Sequence, residues 1–401
     1  MDKPFEPECS FSERALKLTS SAIREILKVT SQPDVISFAG GLPAPSGFPV
    51  EVVRQAFDKV LVSNGQAALQ YSTTEGYAPL RAWIADDLNR GGANITPEQI
   101  LIVSGSQQAL DLLGKVLIDD GSKVMVETPS YLGALQSFSL FQPRFESVAS
   151  DEGGLVPEAL TPANTQGARL LYTLPNFQNP TGRTLSRERR QDLVEQAARL
   201  NLLVVEDDPY GELRYAGEPL PTLLSLGGAC GANVVRMGSF SKVLAPGLRL
   251  GYIAASRQLI DKLVQAKQAT DLHTSTLTQM AAYEVIKDGF LTQHLPTVRE
   301  LYRRQCGYML DALKREFPSA ATWTQPEGGM FIWVTLPEGI DTSLLLKQAI
   351  QERVAFVPGL PFYANTPAPL NTMRLSFVTV PEEKIRSGVA TLARLIKAQL
   401  A

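Results

Sequence analysis

Lys242 stands in the segment Gly238-Ser239-Phe240-Ser241-Lys242, and Pro246-Gly247-Leu248-Arg249-Leu250-Gly251 follows shortly after it. A lysine amine condenses with an aldehyde only when it is deprotonated, so a lysine doing that chemistry needs a desolvated or cationic site. The hydroxyls of Ser239 and Ser241 and the guanidinium of Arg249 suit a phosphate. Together these residue types suit a phosphorylated aldehyde. Taken alone, Ser-x-Ser-Lys is equally an ordinary loop with a solvated lysine.

Four further segments carry complementary parts. In Val205-Glu206-Asp207-Asp208-Pro209-Tyr210, a carboxylate at a strand end can pair with a protonated ring nitrogen. Asp207 is the candidate, and Tyr210 could hydrogen-bond a ring hydroxyl. Asp207 and Asp208 fit helix-capping or turn roles as well. In Pro175-Asn176-Phe177-Gln178-Asn179-Pro180-Thr181-Gly182, Asn179 can donate to a ring hydroxylate, although Asn-Pro-Thr-Gly is also a plain turn signal. A cis Asn179–Pro180 bond is compatible with that segment. Ser104-Gly105-Ser106-Gln107-Gln108-Ala109-Leu110 leads from a strand into a helix, where free N–H groups and the helix dipole receive a phosphate. Ser106 and Gln107 are its expected contacts, and a simple helix cap explains Ser106 too. Thr128-Pro129-Ser130-Tyr131 sets an aromatic ring just beyond a strand, able to stack on a planar ligand or simply to pack.

The elements that must hold these residues read as α/β between residues 99 and 256. Short apolar runs alternate with helical segments there, the pattern of βαβ units around a parallel sheet. Strands are expected at 100–103, 123–127, 169–174, 202–206, 234–238 and 250–254, mostly as continuous apolar runs covered on both faces. Breaks at 119–122, 175–183 and 245–248 fall near strand ends, where open α/β sheets bind ligands. Beyond about residue 287, a long helix over 298–317, a strand over 330–335, another helix and a strand over 374–377 predict a smaller α+β domain. We expect residues 1–48 to form an arm with an amphipathic helix near 22–29 that packs near the active site. Residues 49–290 would form the large domain and 291–401 the small one.

These five segments, in this order, resemble the fold-type I, class I/II aminotransferases that depend on pyridoxal 5′-phosphate, and within them the 2-aminoadipate and kynurenine aminotransferase group. The resemblance runs from Phe38-Ala39-Gly40-Gly41-Leu42-Pro43 through Leu69-Gln70-Tyr71-Ser72-Thr73-Thr74-Glu75-Gly76 to Met373-Arg374-Leu375-Ser376-Phe377. It implies a large cofactor-binding domain, with a mostly parallel central sheet and helices on both faces, and a smaller α+β C-terminal domain. It makes Lys242 the Schiff-base lysine, Asp207 the partner of the pyridinium nitrogen, Asn179 and Tyr210 the partners of the ring hydroxyl, and Tyr131 the stacking ring. Ser106, Gln107, Ser239, Ser241 and Arg249 would surround the phosphate. Tyr71 would reach the cofactor phosphate of a neighbouring subunit, which implies a homodimer with shared sites. Arg374 would bind the substrate α-carboxylate bidentately, with Asn179, Gly41 and Tyr71 also at the substrate. Arg24 resembles an arginine of an N-terminal helix that meets acidic side chains, though it also fits the solvated face beside Ile23, Ile26 and Leu27. The implied activity is ping-pong transfer of an amino group between an L-amino acid and a 2-oxo acid such as 2-oxoglutarate. Donors in view are 2-aminoadipate, aromatic and branched-chain amino acids.

Composition agrees with that class and weighs against others. The 401 residues are 44% hydrophobic and 20% charged, ample for two soluble domains, and a formal charge of −3 gives no electrostatic reason for a nucleic-acid or membrane partner. The three cysteines, Cys9, Cys230 and Cys306, form no Cys-x-x-Cys pair, which suits a reducing cytoplasm. Residues 1–17 are acidic and polar, unlike a signal peptide. With only His273 and His294, histidine-based triads and multi-histidine metal sites lack parts, and no metal is expected. No Gly-x-Gly-x-x-Gly opens the first βα unit, so an NAD enzyme is disfavoured. A lyase or decarboxylase on the same scaffold and a cofactor-sensing regulatory domain stand as alternatives.

Overall fold

A computed structural model describes residues 11–16, 26 and 34–400. Arg24, Cys9 and nearly all of the helix expected near 22–29 lie outside the described residues.

The central sheet has seven strands: β1 (Ile100–Val103), β2 (Lys123–Glu127), β3 (Arg144–Val148), β4 (Ala168–Thr173), β5 (Val204–Asp208), β6 (Val234–Ser239) and β7 (Gly251–Ala254). Their order is β1-β7-β6-β5-β4-β2-β3. All run parallel except β7, which pairs antiparallel with both β1 and β6. Side chains alternate between the two faces of a strand, and here the alternation divides the core in two. Leu101, Val103, Val124, Val126, Leu170 and Tyr172 pack on one face with helices α3 (Ser106–Leu117), α4 (Leu132–Ser139) and α7 (Arg257–Thr270). Ile100, Ile102, Met125, Leu171 and Val204 pack on the other with α1 (Val50–Ala68), α2 (Ala78–Arg90), α5 (Arg187–Arg199), α6 (Leu223–Cys230) and α8 (Thr276–Ile286). Both faces are covered, as the apolar runs require.

Around the large sheet, three expectations need correction. β5 begins two residues late, because the apolar run starts inside the turn that ends α5: Asn201 is left-handed at φ 49° and the Leu202 N–H donates to the Ala197 carbonyl at 2.9 Å. Glu206, Asp207 and Asp208 therefore belong to the strand itself. β3 was not expected, since Arg144-Phe145-Glu146-Ser147-Val148 is polar and largely accessible, as an edge strand can be. The break at 119–122 precedes β2 and so lies at the amino edge of the sheet, away from the residues described below.

Beyond the sheet, helix α9 (Phe290–Glu316) starts well before the expected position and runs through Pro296. A proline there costs the helix one N–H bond and strains one turn, and the remaining length tolerates it. Four antiparallel strands follow in the order β8-β9-β11-β10, with β8 Thr322–Trp323, β9 Phe331–Thr335, β10 Val357–Pro358 and β11 Thr372–Ser376. Arg374 is central in this sheet, opposite Trp333 on one side and Val357 on the other. Ile36–Ser37 pairs in parallel with Val354–Ala355, which leads the chain from residue 38 onward across the carboxyl edge of the large sheet. Among the described residues no helix is long and apolar enough to cross a membrane.

Candidate active site

Loops from five parallel strand ends and the start of β7 meet at the carboxyl edge of the large sheet. They enclose a cavity of about 290 Å³ lined by Gly41, Leu42, Ser106, Gln107, Tyr131, Leu174, Asn179, Asp207, Pro209, Tyr210, Ser239, Ser241, Lys242, Arg249 and Arg374. Twelve of the fourteen residues singled out from the sequence are thus together. Tyr71 is not among them: it is 79% exposed and stands edge-on to His273 at 5.9 Å. The fourteenth, Arg24, lies outside the described residues.

The phosphate-type groups gather where β1 turns into α3. Gly105 precedes the helix at φ 84°, so Ser106 is the first helical residue and makes no side-chain cap, contrary to a capping role. The Arg249 guanidinium lies against Gly105, where a Cβ would stand 2.7 Å from its Nη2. The Ser241 N–H donates to Ser239 Oγ at 3.1 Å, folding that loop towards the same end of the cavity. Free N–H groups of a helix start, two hydroxyls and an arginine make an anion site of familiar kind.

Lys242 is largely buried, and its Nζ donates to the Gly41 carbonyl at 2.7 Å. Burial, reinforced by the positive charges of Arg374 and Arg249, lowers the amine to about 8. Asp207 is 2% exposed. Its Oδ2 accepts the Tyr172 hydroxyl at 2.6 Å, while Oδ1 is buried and meets no donor. Burial pushes this carboxyl up to about 7 against the effect of the Tyr172 bond. Its neighbours face the other way. Glu206 and Asp208 both pair with Arg236 at 2.7 Å, and Asp208 also accepts the Gly211 N–H at 2.8 Å, so the turn role applies to Asp208 and not to Asp207.

Asn179 links the contributions of the two sheets. Its Nδ2 donates to the Tyr210 hydroxyl at 3.3 Å and its Oδ1 accepts Arg374 Nη1 at 2.8 Å. Its loop is held from below, since Gln178 donates to Glu127 and the Pro129 carbonyl at 3.1 and 2.8 Å, and Asn179–Pro180 is cis. Arg374, 1% exposed, also donates Nη2 to the Ala39 carbonyl at 2.8 Å, lies over the Phe331 ring at 4.2 Å, and leaves Nε without a partner. Burial lowers it to about 10, which still leaves it cationic near neutral pH.

The model of the aminotransferases of class I and II matches residues 33–392. The chain belongs to this family. Its relatives include aromatic-amino-acid aminotransferase 1 of Thermococcus litoralis, 46% identical over 97% of this chain and 94% of that one. They also include the 2-aminoadipate transaminase of Thermus thermophilus, 46% identical over 100% and 99% of the two chains. The crystal structure of the α-aminoadipate aminotransferase LysN from Thermus thermophilus, complexed with N-(5′-phosphopyridoxyl)-L-leucine, superposes with a TM-score of 0.91 at 45% identity, covering 98% of each chain. This aminotransferase is accordingly a fold-type I enzyme that uses pyridoxal 5′-phosphate to move amino groups between amino acids and 2-oxo acids.

The residues present fit that cofactor. A buried carboxylate oxygen without a donor is what a protonated ring nitrogen requires, and the anion site and the lowered lysine stand in the same cavity. Sequence reasoning missed Leu42, Leu174 and Pro209, which add apolar wall, and Tyr172. A phenol inside the otherwise apolar run Leu170-Leu171-Tyr172 carried the one available signal, because a buried tyrosine hydroxyl needs a partner.

Proposed function

We propose that this aminotransferase takes 2-aminoadipate, aromatic or branched-chain L-amino acids as donors and 2-oxoglutarate as acceptor, with Lys242, Asp207 and Tyr210 as its catalytic residues. The observation that carries the reading is the convergence of Lys242, Arg374 and the unpaired oxygen of Asp207 in one small cavity. The donor range is drawn from relatives named for 2-aminoadipate and for aromatic amino acids, and from the leucine adduct held by the LysN structure.

The cofactor supplies an aldehyde that takes up the amino group and a ring that draws electrons from the substrate α-carbon. Arg374 binds the α-carboxylate through a bidentate pair, and its buried Nε is a donor still without a partner. Asn179 and Tyr210 hold the ring hydroxyl, Tyr131 covers the ring face, and Ser106, Gln107, Ser239, Ser241 and Arg249 hold the phosphate. Lys242 would hold the cofactor through its aldehyde and, as a free amine, would take the proton from the substrate α-carbon. Gly41 lines the cavity at the substrate, with Leu42 next to it in the chain. Arg24 meets acidic donor side chains.

Residues 49–290 and 291–401 make the large and small domains, with residues 1–48 an N-terminal arm that packs near the active site. A homodimer is supported by Tyr71, Val62 and Leu69, which are 79%, 89% and 72% exposed and which a second copy would cover. The free thiols of Cys230 and Cys306 favour a cytoplasmic setting.

The test is kcat/KM for a panel of donors with 2-oxoglutarate, in the natural enzyme and in Arg24→Ala. KM for 2-aminoadipate and glutamate should rise much more than KM for leucine. An equal rise for both classes would remove Arg24 from the side-chain pocket.

A further inference from the structure

We propose that Tyr172 is a positioning residue that keeps Asp207 ionised and turns its free oxygen towards the ring nitrogen of the cofactor. The inference rests on the reading of Asp207 as the partner of that nitrogen. Tyr172 sits mid-sheet in β4, flanked by Val126 of β2 and Val205 of β5. Asp207 lies two residues beyond Val205 on the same face, so the phenol crosses the diagonal between neighbouring strands. Both side chains are out of water, Tyr172 at 0% and Asp207 at 2% exposure. The ring has little freedom, with Phe138 packed edge-on at 5.8 Å.

At 2.6 Å the bond from the Tyr172 hydroxyl to Oδ2 has the length of a donor to a charged oxygen. It is the one hydrogen bond that the Asp207 carboxylate makes among the described residues, since the nearby Arg236 is engaged by Glu206 and Asp208 on the opposite face. A buried carboxylate with no donor takes up a proton instead, and a neutral acid is a poor partner for a ring N–H⁺. Engaging Oδ2 from behind leaves Oδ1 as the oxygen still to be satisfied. A tyrosine that merely filled space could have carried its hydroxyl to any acceptor, whereas this one ends on the single carboxylate of the cavity.

Tyr172→Phe removes the hydroxyl and keeps the ring against Phe138. Dissociation constants are measured on the full chain for pyridoxal 5′-phosphate and for its analogue with carbon in place of the ring nitrogen. Losing a bond to a charged group should weaken the natural cofactor by about tenfold or more. The analogue should be unaffected or bind better, because it offers Asp207 nothing. Equal losses for both ligands, or none for either, would overturn the inference by leaving Tyr172 a packing residue. Asp207→Ala separates the two claims. A selective loss in Asp207→Ala without one in Tyr172→Phe sinks only the role of Tyr172, whereas no selectivity in Asp207→Ala removes the assignment of Asp207 and this inference with it.

Discussion

At the scale of single residues, the acidic triplet Glu206-Asp207-Asp208 shows what decides a role. The three carboxylates differ little in sequence context, but a strand turns successive side chains to opposite faces. Arg236 neutralises Glu206 and Asp208 on one face, and Asp207 is left alone on the cavity side. Sequence named Asp207 from its place at a strand end, with family likeness in agreement, while the alternation that isolates it became visible only when β5 was seen to extend to Asp208. Lys242 illustrates the converse, in that its chemistry was legible and its environment was not. Burial disfavours its cation, so the neutral amine dominates above about 8 instead of above the ordinary 10.5. Uptake of pyridoxal 5′-phosphate by the cofactor-free protein should therefore accelerate as pH rises through about 8, followed by stopped-flow absorbance. In Arg374→Ala, loss of a neighbouring positive charge should move that midpoint upward. A rate flat through this range would contradict the lowered amine.

Among elements, the strand-to-helix turn at Gly105 ties sequence most directly to binding. The positive φ of 84° is one that residues with a Cβ rarely adopt, and the Arg249 guanidinium occupies the space a Cβ would need. Gly105→Ala should hence displace Arg249 and weaken the cofactor by about tenfold or more, the equivalent of ~1.4 kcal/mol or more. Equilibrium titration would measure it, with far-UV circular dichroism confirming the fold, and unchanged affinity would remove this turn from the phosphate site. Most elements around the cavity were readable because buried parallel strands are continuous apolar runs. The exceptions have physical causes: edge strand β3 is polar, β5 begins after an apolar turn, and α9 passes through a proline where sequence rules stop a helix.

For the whole molecule, two sheets of different construction are needed to complete one cavity. The parallel sheet supplies Lys242, Asp207 and the anion site, and the antiparallel sheet supplies Arg374, joined across by Asn179. That convergence of segments far apart in sequence was legible only as family resemblance, since neither spacing nor periodicity brings residue 374 to residue 179. In the proposed homodimer, Tyr71 extends the same logic to a second copy. If it serves the neighbouring site, mixing Tyr71→Ala with Lys242→Ala subunits should restore activity above the sum of the separate variants, because each hybrid dimer regains one intact site. Activity that simply adds would place Tyr71 outside a shared site.

The most direct test of the central claim is the visible absorbance of the purified enzyme bearing pyridoxal 5′-phosphate, in the natural chain and in Lys242→Ala. Adding 2-aminoadipate or an aromatic amino acid alone should bleach the cofactor band of the natural enzyme, and adding 2-oxoglutarate should bring it back, while Lys242→Ala binds cofactor without cycling. A band that no amino acid alters, or a Lys242→Ala enzyme that cycles as fast as the natural one, would contradict the account.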